Sequence, residues 1–174
     1  MSFLFSSRLL SDSERKRFSN VDTKTLERAI ENGVVPVTPD GFNEDLLSSL
    51  RPPVALFAWG NTDCLAQPMI AIVGTRAAST YGKAVAQKFA EAFAMSGVTV
   101  ASGGAMGIDT NAHEGVLAAG GRTVSVLPGG VDVAQPPSNV RLFERIRESG
   151  CLVSPFAVGS PALEHKFEQR NHLL

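Results

Sequence analysis

The sequence predicts an α/β protein built on a doubly wound, mainly parallel sheet, with a short helical appendage at its N-terminus. Three observations predict it. Four short apolar runs rich in β-branched residues follow one another between Met69 and Val153. Helix-length segments with apolar residues every three to four positions separate them, and glycine closes each segment before the next run. Strand and helix in strict alternation point to parallel strands joined by crossover helices.

Residues 1–50 read as helical appendage and linker. Leu26 and Ile30 stand one turn apart after the polar start Asp22 to Lys24, and Gly33 stops the helix. The stretch from Val34 to Leu65 is rich in proline and glycine. Within it, Val54-Ala-Leu-Phe-Ala-Trp59 is a compact apolar run closed by Gly60-Asn61, which reads as a first strand, so the core is expected over residues 51–174. The next strands are Met69 to Val73, Val98 to Ala101, Thr123 to Leu127 and Cys151 to Val153, apolar at nearly every position as in strands buried on both faces. Between them, Val85, Phe89, Ala92 and Phe93 mark a helix from Gly82 to Ser96. Ile108 to Ala119 repeats the plan, and Leu142, Phe143 and Ile146 line a third helix that Ser138 or Asn139 can cap.

Composition narrows the function. The 174 residues are 44% hydrophobic and 19% charged, enough for one buried core. The net charge of -1 advertises no general affinity for nucleic acid, so any phosphate site must be a local arrangement. No stretch approaches the roughly 18 apolar residues that span a bilayer, and the first ten residues lack the pattern of a signal peptide. Cys64 and Cys151 have no metal-ligand spacing and read as reduced, structural thiols of a cytoplasmic protein.

In a sheet of this kind, ligands bind beyond the carboxyl ends of the strands. Three loops there are rich in glycine. Gly74-Thr-Arg-Ala-Ala-Ser-Thr-Tyr-Gly82 opens a helix, whose free amides, with the hydroxyls of Thr75, Ser79 and Thr80 and the Arg76 guanidinium, suit a phosphate. Tyr81 is placed to stack on a base. The same residues also suit a capped turn, with Arg76 paired to a carboxylate and Tyr81 over the core. Ala101-Ser-Gly-Gly-Ala-Met-Gly-Ile-Asp109 brings backbone close at Gly103, Gly104 and Gly107, with the Ser102 hydroxyl nearby. Asp109 and His113 stand four apart on the next helix and can touch, or His113 can make a structural hydrogen bond. The loop Pro128 to Asn139 offers Gly129, Gly130 and Asp132, and His165 to His172 sets cations beside Phe167. No Walker loop, dinucleotide fingerprint or metal-ligand set is present in the sequence.

Taken together, these blocks resemble the DprA/Smf family of DNA-processing proteins. The pattern stands here as Val73-Gly-Thr-Arg76, Tyr81-Gly82, Ser102 to Asp109, Ala112-His113, Gly120-Gly-Arg-Thr123, Gly129-Gly130, Pro136-Pro-Ser-Asn139 and Arg170-Asn171. Eight blocks in order, from about Pro52 to the last residue, carry the resemblance. It implies a Rossmann-like core and a non-enzymatic protein that binds single-stranded DNA and loads a RecA-type recombinase during natural transformation and homologous recombination. It implies no cofactor or metal and no membrane, and a homodimer as the oligomer to consider. By the same resemblance Gly74, Thr75, Arg76, Tyr81, Gly82, Ser102, Gly103, Gly104, Gly107, Lys166, Arg170 and Asn171 form the DNA-phosphate pocket.

Three departures stand out. Ser154-Pro155 replaces the family's usual Ser-Glu, and Glu168-Gln169 and His172 lower the positive charge around Arg170. Family members also continue past the Arg-Asn pair, which implies a core incomplete at its C-terminus. The alternatives are a nucleotide-binding sensor, a hydrolase of nucleoside monophosphates like the LOG group, or a truncated protein without binding activity. The LOG motif needs Gly-Thr and a catalytic Glu after its glycines. Here Pro128-Gly-Gly130 is followed by Val-Asp-Val-Ala-Gln135.

Overall fold

The structure is a computed structural model that describes residues 23–48 and 52–174. The helical character expected for residues 1–22 lies outside the described residues. In chain order the main elements are α1 (Thr23–Glu31), β1 (Val34–Val37), α2 (Glu44–Leu47), β2 (Leu56–Gly60), β3 (Met69–Ala71), α3 (Thr80–Met95) and β4 (Thr99–Ser102). There follow α4 (Ile108–Ala118), β5 (Thr123–Val126), α5 (Val140–Ser149), β6 (Cys151–Ser154) and α6 (Glu164–Asn171).

Six strands form one sheet in the order β1-β2-β6-β5-β4-β3. The neighbours β3, β4, β5 and β6 are parallel, β2 runs antiparallel to β6, and β1 antiparallel to β2. This is the Rossmann-like α/β class that the alternating pattern predicts. Pairing aligns Ala101 with Val124 and Val124 with Cys151, so these side chains share one face while Val100, Ser125 and Leu152 share the other. On the second face α3 and α4 bring Ala90, Ala112 and Val116 against Val100. There α5 also sets Leu142, Phe143 and Ile146 against Leu127 and Leu152. The first face is covered by Phe42 and Leu65 from the short helical turns, with Leu173 and Leu174 packed beside them. Leu127 and Ile146 are wholly enclosed, and burial of each contributes about 1.5–3 kcal/mol.

Two features differ from the sequence reading. The sheet begins at Val34, ahead of the core boundary expected at residue 51, because Val34–Val37 adds an edge strand to β2. Four residues containing Pro36 carry no alternation to read, and an edge position tolerates a residue without an N–H. Helix α1 likewise buries Leu26 and Ala29 against Val34 and Phe57. Second, β4, β5 and β6 are buried at every residue, but β3 is only half-buried at Met69 and Ile70 and exposed at Ala71, because β4 is its one neighbour among the described strands.

Candidate functional site

The carboxyl ends of β3 and β4 open into a cleft of about 420 Å³, roofed by α6 and lined by Gly74, Arg76, Asp109, Phe167, Arg170 and Asn171 among others. The loop after β3 forms one wall. It leaves the sheet at Ile72, whose N–H still donates to the carbonyl of Ala101 at 3.0 Å. It enters α3 through Ser79, whose hydroxyl caps the helix by accepting the N–H of Gly82 at 3.1 Å. The loop after β4 forms the floor. Helix α4 approaches the first loop so closely that a Cβ on Gly107 would lie 2.3 Å from the Thr75 carbonyl oxygen, and Gly107 takes φ +84 there.

Asp109 sits on that floor, 4% exposed. Its carboxylate accepts the N–H of Gly74 at 3.3 Å, of Gly103 at 3.2 Å and of Ala105 at 3.3 Å, which ties the two loops together. Burial raises its pKa, against the pull of those amides and of the Arg170 charge. Arg170, 5% exposed, reaches down from α6. Its Nη1 donates to the carbonyl oxygens of Gly103 at 2.6 Å and of Val126, and its Nε to the Asn171 side-chain oxygen at 3.0 Å. Burial lowers its pKa, Asp109 opposing and Arg76 adding to the effect. A Cβ on Gly103 would fall 2.6 Å from the Arg170 guanidinium, so the bare backbone is what lets Arg170 seat itself. At the rim, the exposed Arg76 guanidinium lies 5.3 Å from the centre of the Phe167 ring, which Arg170 approaches at 6.0 Å.

Of the residues assigned from sequence, Gly74, Arg76, Arg170 and Asn171 line this cleft. Others are used differently. Ser102 is fully buried and its hydroxyl donates to the Ile72 carbonyl at 2.6 Å, so it joins β3 to β4 instead of facing a ligand. Thr75 accepts the Ala77 N–H at 3.2 Å within an exposed turn. Gly82 spends its amide on the Ser79 cap, and Tyr81 is 79% exposed at the start of α3. Gly104 is buried, and its carbonyl accepts from the Asn139 side chain at 3.0 Å. Asn139 also donates to Thr110 Oγ1 at 2.9 Å and makes no cap to α5. Lys166 leaves the cleft: its ammonium donates to Ser160 Oγ at 2.7 Å and the Pro161 carbonyl at 2.8 Å, lining a separate pocket with Phe156 and His165.

The contact between Asp109 and His113 does not form, because Asp109 turns to the loop amides. Thr123 Oγ1 donates to the Val100 carbonyl at 2.7 Å and therefore accepts from His113 Nδ1, also at 2.7 Å. Asp109 had no binding role in the sequence reading, whereas Phe167 stood in the segment His165 to His172, whose cations beside an aromatic ring suit a nucleic-acid groove. The available signal for Asp109 was an acidic residue in the first helical turn after a glycine loop, where backbone amides converge. Among the described residues no group of three or more His, Cys, Asp or Glu is arranged to hold a metal, and no helix is long and apolar enough to cross a membrane.

The structure is thus a Rossmann-like α/β protein with a cleft lined by Arg76, Asp109, Phe167 and Arg170 at the carboxyl ends of its parallel strands. Comparison with known proteins gives the particular family. The family model described as DNA recombination-mediator protein A matches residues 34–174, and the chain belongs to this DprA/Smf family. It is 32% identical over 168 residues to Protein Smf of Escherichia coli K12, covering 92% of this chain and 45% of that protein. The solved structure of DNA processing protein A from Streptococcus pneumoniae superposes with a TM-score of 0.77 at 32% identity, covering 91% of this chain and 56% of the other. DNA processing protein A from Helicobacter pylori, a protein described for its single-stranded DNA binding mode, gives a TM-score of 0.69 at 29% identity over 81% of this chain and 65% of that one. The chain thus spans about half the length of the Escherichia coli and Streptococcus relatives.

Proposed function

We propose that this chain binds single-stranded DNA in the cleft between the β3 and β4 loops and α6, and acts in DNA processing without catalysing a reaction. The observation that carries the reading is the exposed Arg76 guanidinium beside the Phe167 ring at the cleft rim, 5.3 Å apart. A backbone phosphate takes the fork of Arg76, and an unpaired base takes the apolar edge that the ring provides. A duplex keeps its bases stacked inside and cannot offer that second contact. The single-stranded DNA binding described for the Helicobacter relative supports the same reading. Delivery of a bound strand to a RecA-type recombinase during transformation and recombination, a homodimer and a cytoplasmic setting extend the proposal on the strength of the family resemblance. The test is fluorescence anisotropy with labelled single- and double-stranded oligonucleotides over a salt series. Preference for the single strand, weakening as salt rises, is the expected result. Binding of neither strand, together with release of base from AMP, would replace this reading with a nucleotide hydrolase.

A further inference from the structure

The cleft floor is lined with backbone amides, the usual bed for a phosphate in a sheet of this type, yet a carboxylate of the chain itself already lies on it. We propose that Asp109 is a specificity-determining residue: it occupies the floor as an internal anion, refuses it to inorganic phosphate and nucleoside monophosphates, and confines anion binding to Arg76 at the rim. This rests on the reading of the cleft as a strand-binding groove and says which phosphates the groove accepts.

The geometry has three parts. The donors come from two different strand ends, Gly74 after β3 and Gly103 with Ala105 after β4, so they converge on one point as oriented amides do on a bound anion. Both carboxylate oxygens are engaged, Oδ1 by Gly74 and Oδ2 by Gly103 and Ala105, and the side chain is 4% exposed, so the bed is filled. The charge that would balance a second anion is committed as well, because the buried Arg170 faces Asp109 and donates to the carbonyls of Gly103 and Val126.

A terminal phosphate, which carries close to two negative charges at neutral pH, would meet the carboxylate at hydrogen-bond range in a buried setting. A phosphodiester carries one charge and runs past the rim to the next nucleotide, so it reaches Arg76 without entering the floor. Asp109 therefore tilts the cleft from nucleotide to polynucleotide.

The experiment compares the wild-type chain with Asp109→Ala, their folding checked by circular dichroism, in titrations with inorganic phosphate and with AMP followed by calorimetry. The expected result is that Asp109→Ala binds both at least about tenfold more tightly than the wild type. Equal affinity in two folded proteins overturns the inference. A second measurement uses only the wild type: with inorganic phosphate added, the amide resonances of Gly74, Gly103 and Ala105 stay in place, and their displacement would overturn the inference even if Asp109→Ala fails to fold. Single-strand binding by the wild type is measured separately. Its absence beside a gain of phosphate binding in Asp109→Ala would sink the strand-binding reading and leave the role of Asp109 standing, and the opposite pattern would do the reverse.

Discussion

Replacing His113 by Asn should remove a pH-dependent component of stability that the fold builds into α4 and β5. His113 is fully buried, donates from Nδ1 to Thr123, and its Nε2 has no hydrogen-bond partner among the described residues. A second proton would put an unpaired charge in the core, so burial pushes its pKa down from 6.5 to about 3. With a folded value below the unfolded one, the contribution is complete above the unfolded value and drains away as the pH falls beneath it, because the unfolded chain takes up a proton that the folded chain refuses. A pH of about 4.5 lies about two units below the unfolded value, and at about 1.4 kcal/mol per unit the loss relative to neutral pH is about 3 kcal/mol. His113→Asn keeps a donor near Thr123 and removes the titrating ring. Urea denaturation of both proteins at several pH values should therefore show the wild type losing about 3 kcal/mol relative to the variant between about pH 7.5 and about pH 4.5. A stability difference that stays constant across that range would refute the buried, neutral imidazole.

Two further substitutions test the frame of the site. Gly107→Ala must find room for a Cβ 2.3 Å from the Thr75 carbonyl at φ +84, so it should cost at least about 2 kcal/mol in urea denaturation and disturb the loop that carries Arg76. Glu114→Gln should change stability by less than about 0.5 kcal/mol in the same assay, since its 2.8 Å pair with Arg145 joins side chains 39% and 49% exposed and water screens it.

How much of this was legible in the sequence depended on whether a residue's role was local. Strands β4, β5 and β6 were readable as short β-branched or apolar runs each preceded by glycine, although Thr99, Ser102, Thr123, Ser125 and Ser154 are buried beside their apolar neighbours. Strand β1 was not, since its four residues with Pro36 are shaped by the edge they occupy and not by a local pattern. Arg76 was readable as the basic residue between a strand end and a helix start. The burial of Arg170 was not: an arginine in a polar segment reads as exposed, and only the assembled sheet reveals the carbonyls of Gly103 and Val126 that receive it. Cys64 and Cys151, 87 positions apart, show the same limit. Nothing in their spacing announces that the pairing of β2 with β6 brings the two buried thiols to 3.4 Å.

The proposed hold of Arg76 on the backbone of a single strand is tested most directly by the affinity of Arg76→Ala for a labelled single-stranded oligonucleotide across a salt series. If Arg76 holds the strand, the variant loses at least about tenfold in affinity at low salt, with a salt dependence shallower by about one phosphate contact. Unchanged affinity and slope in the folded variant would contradict it.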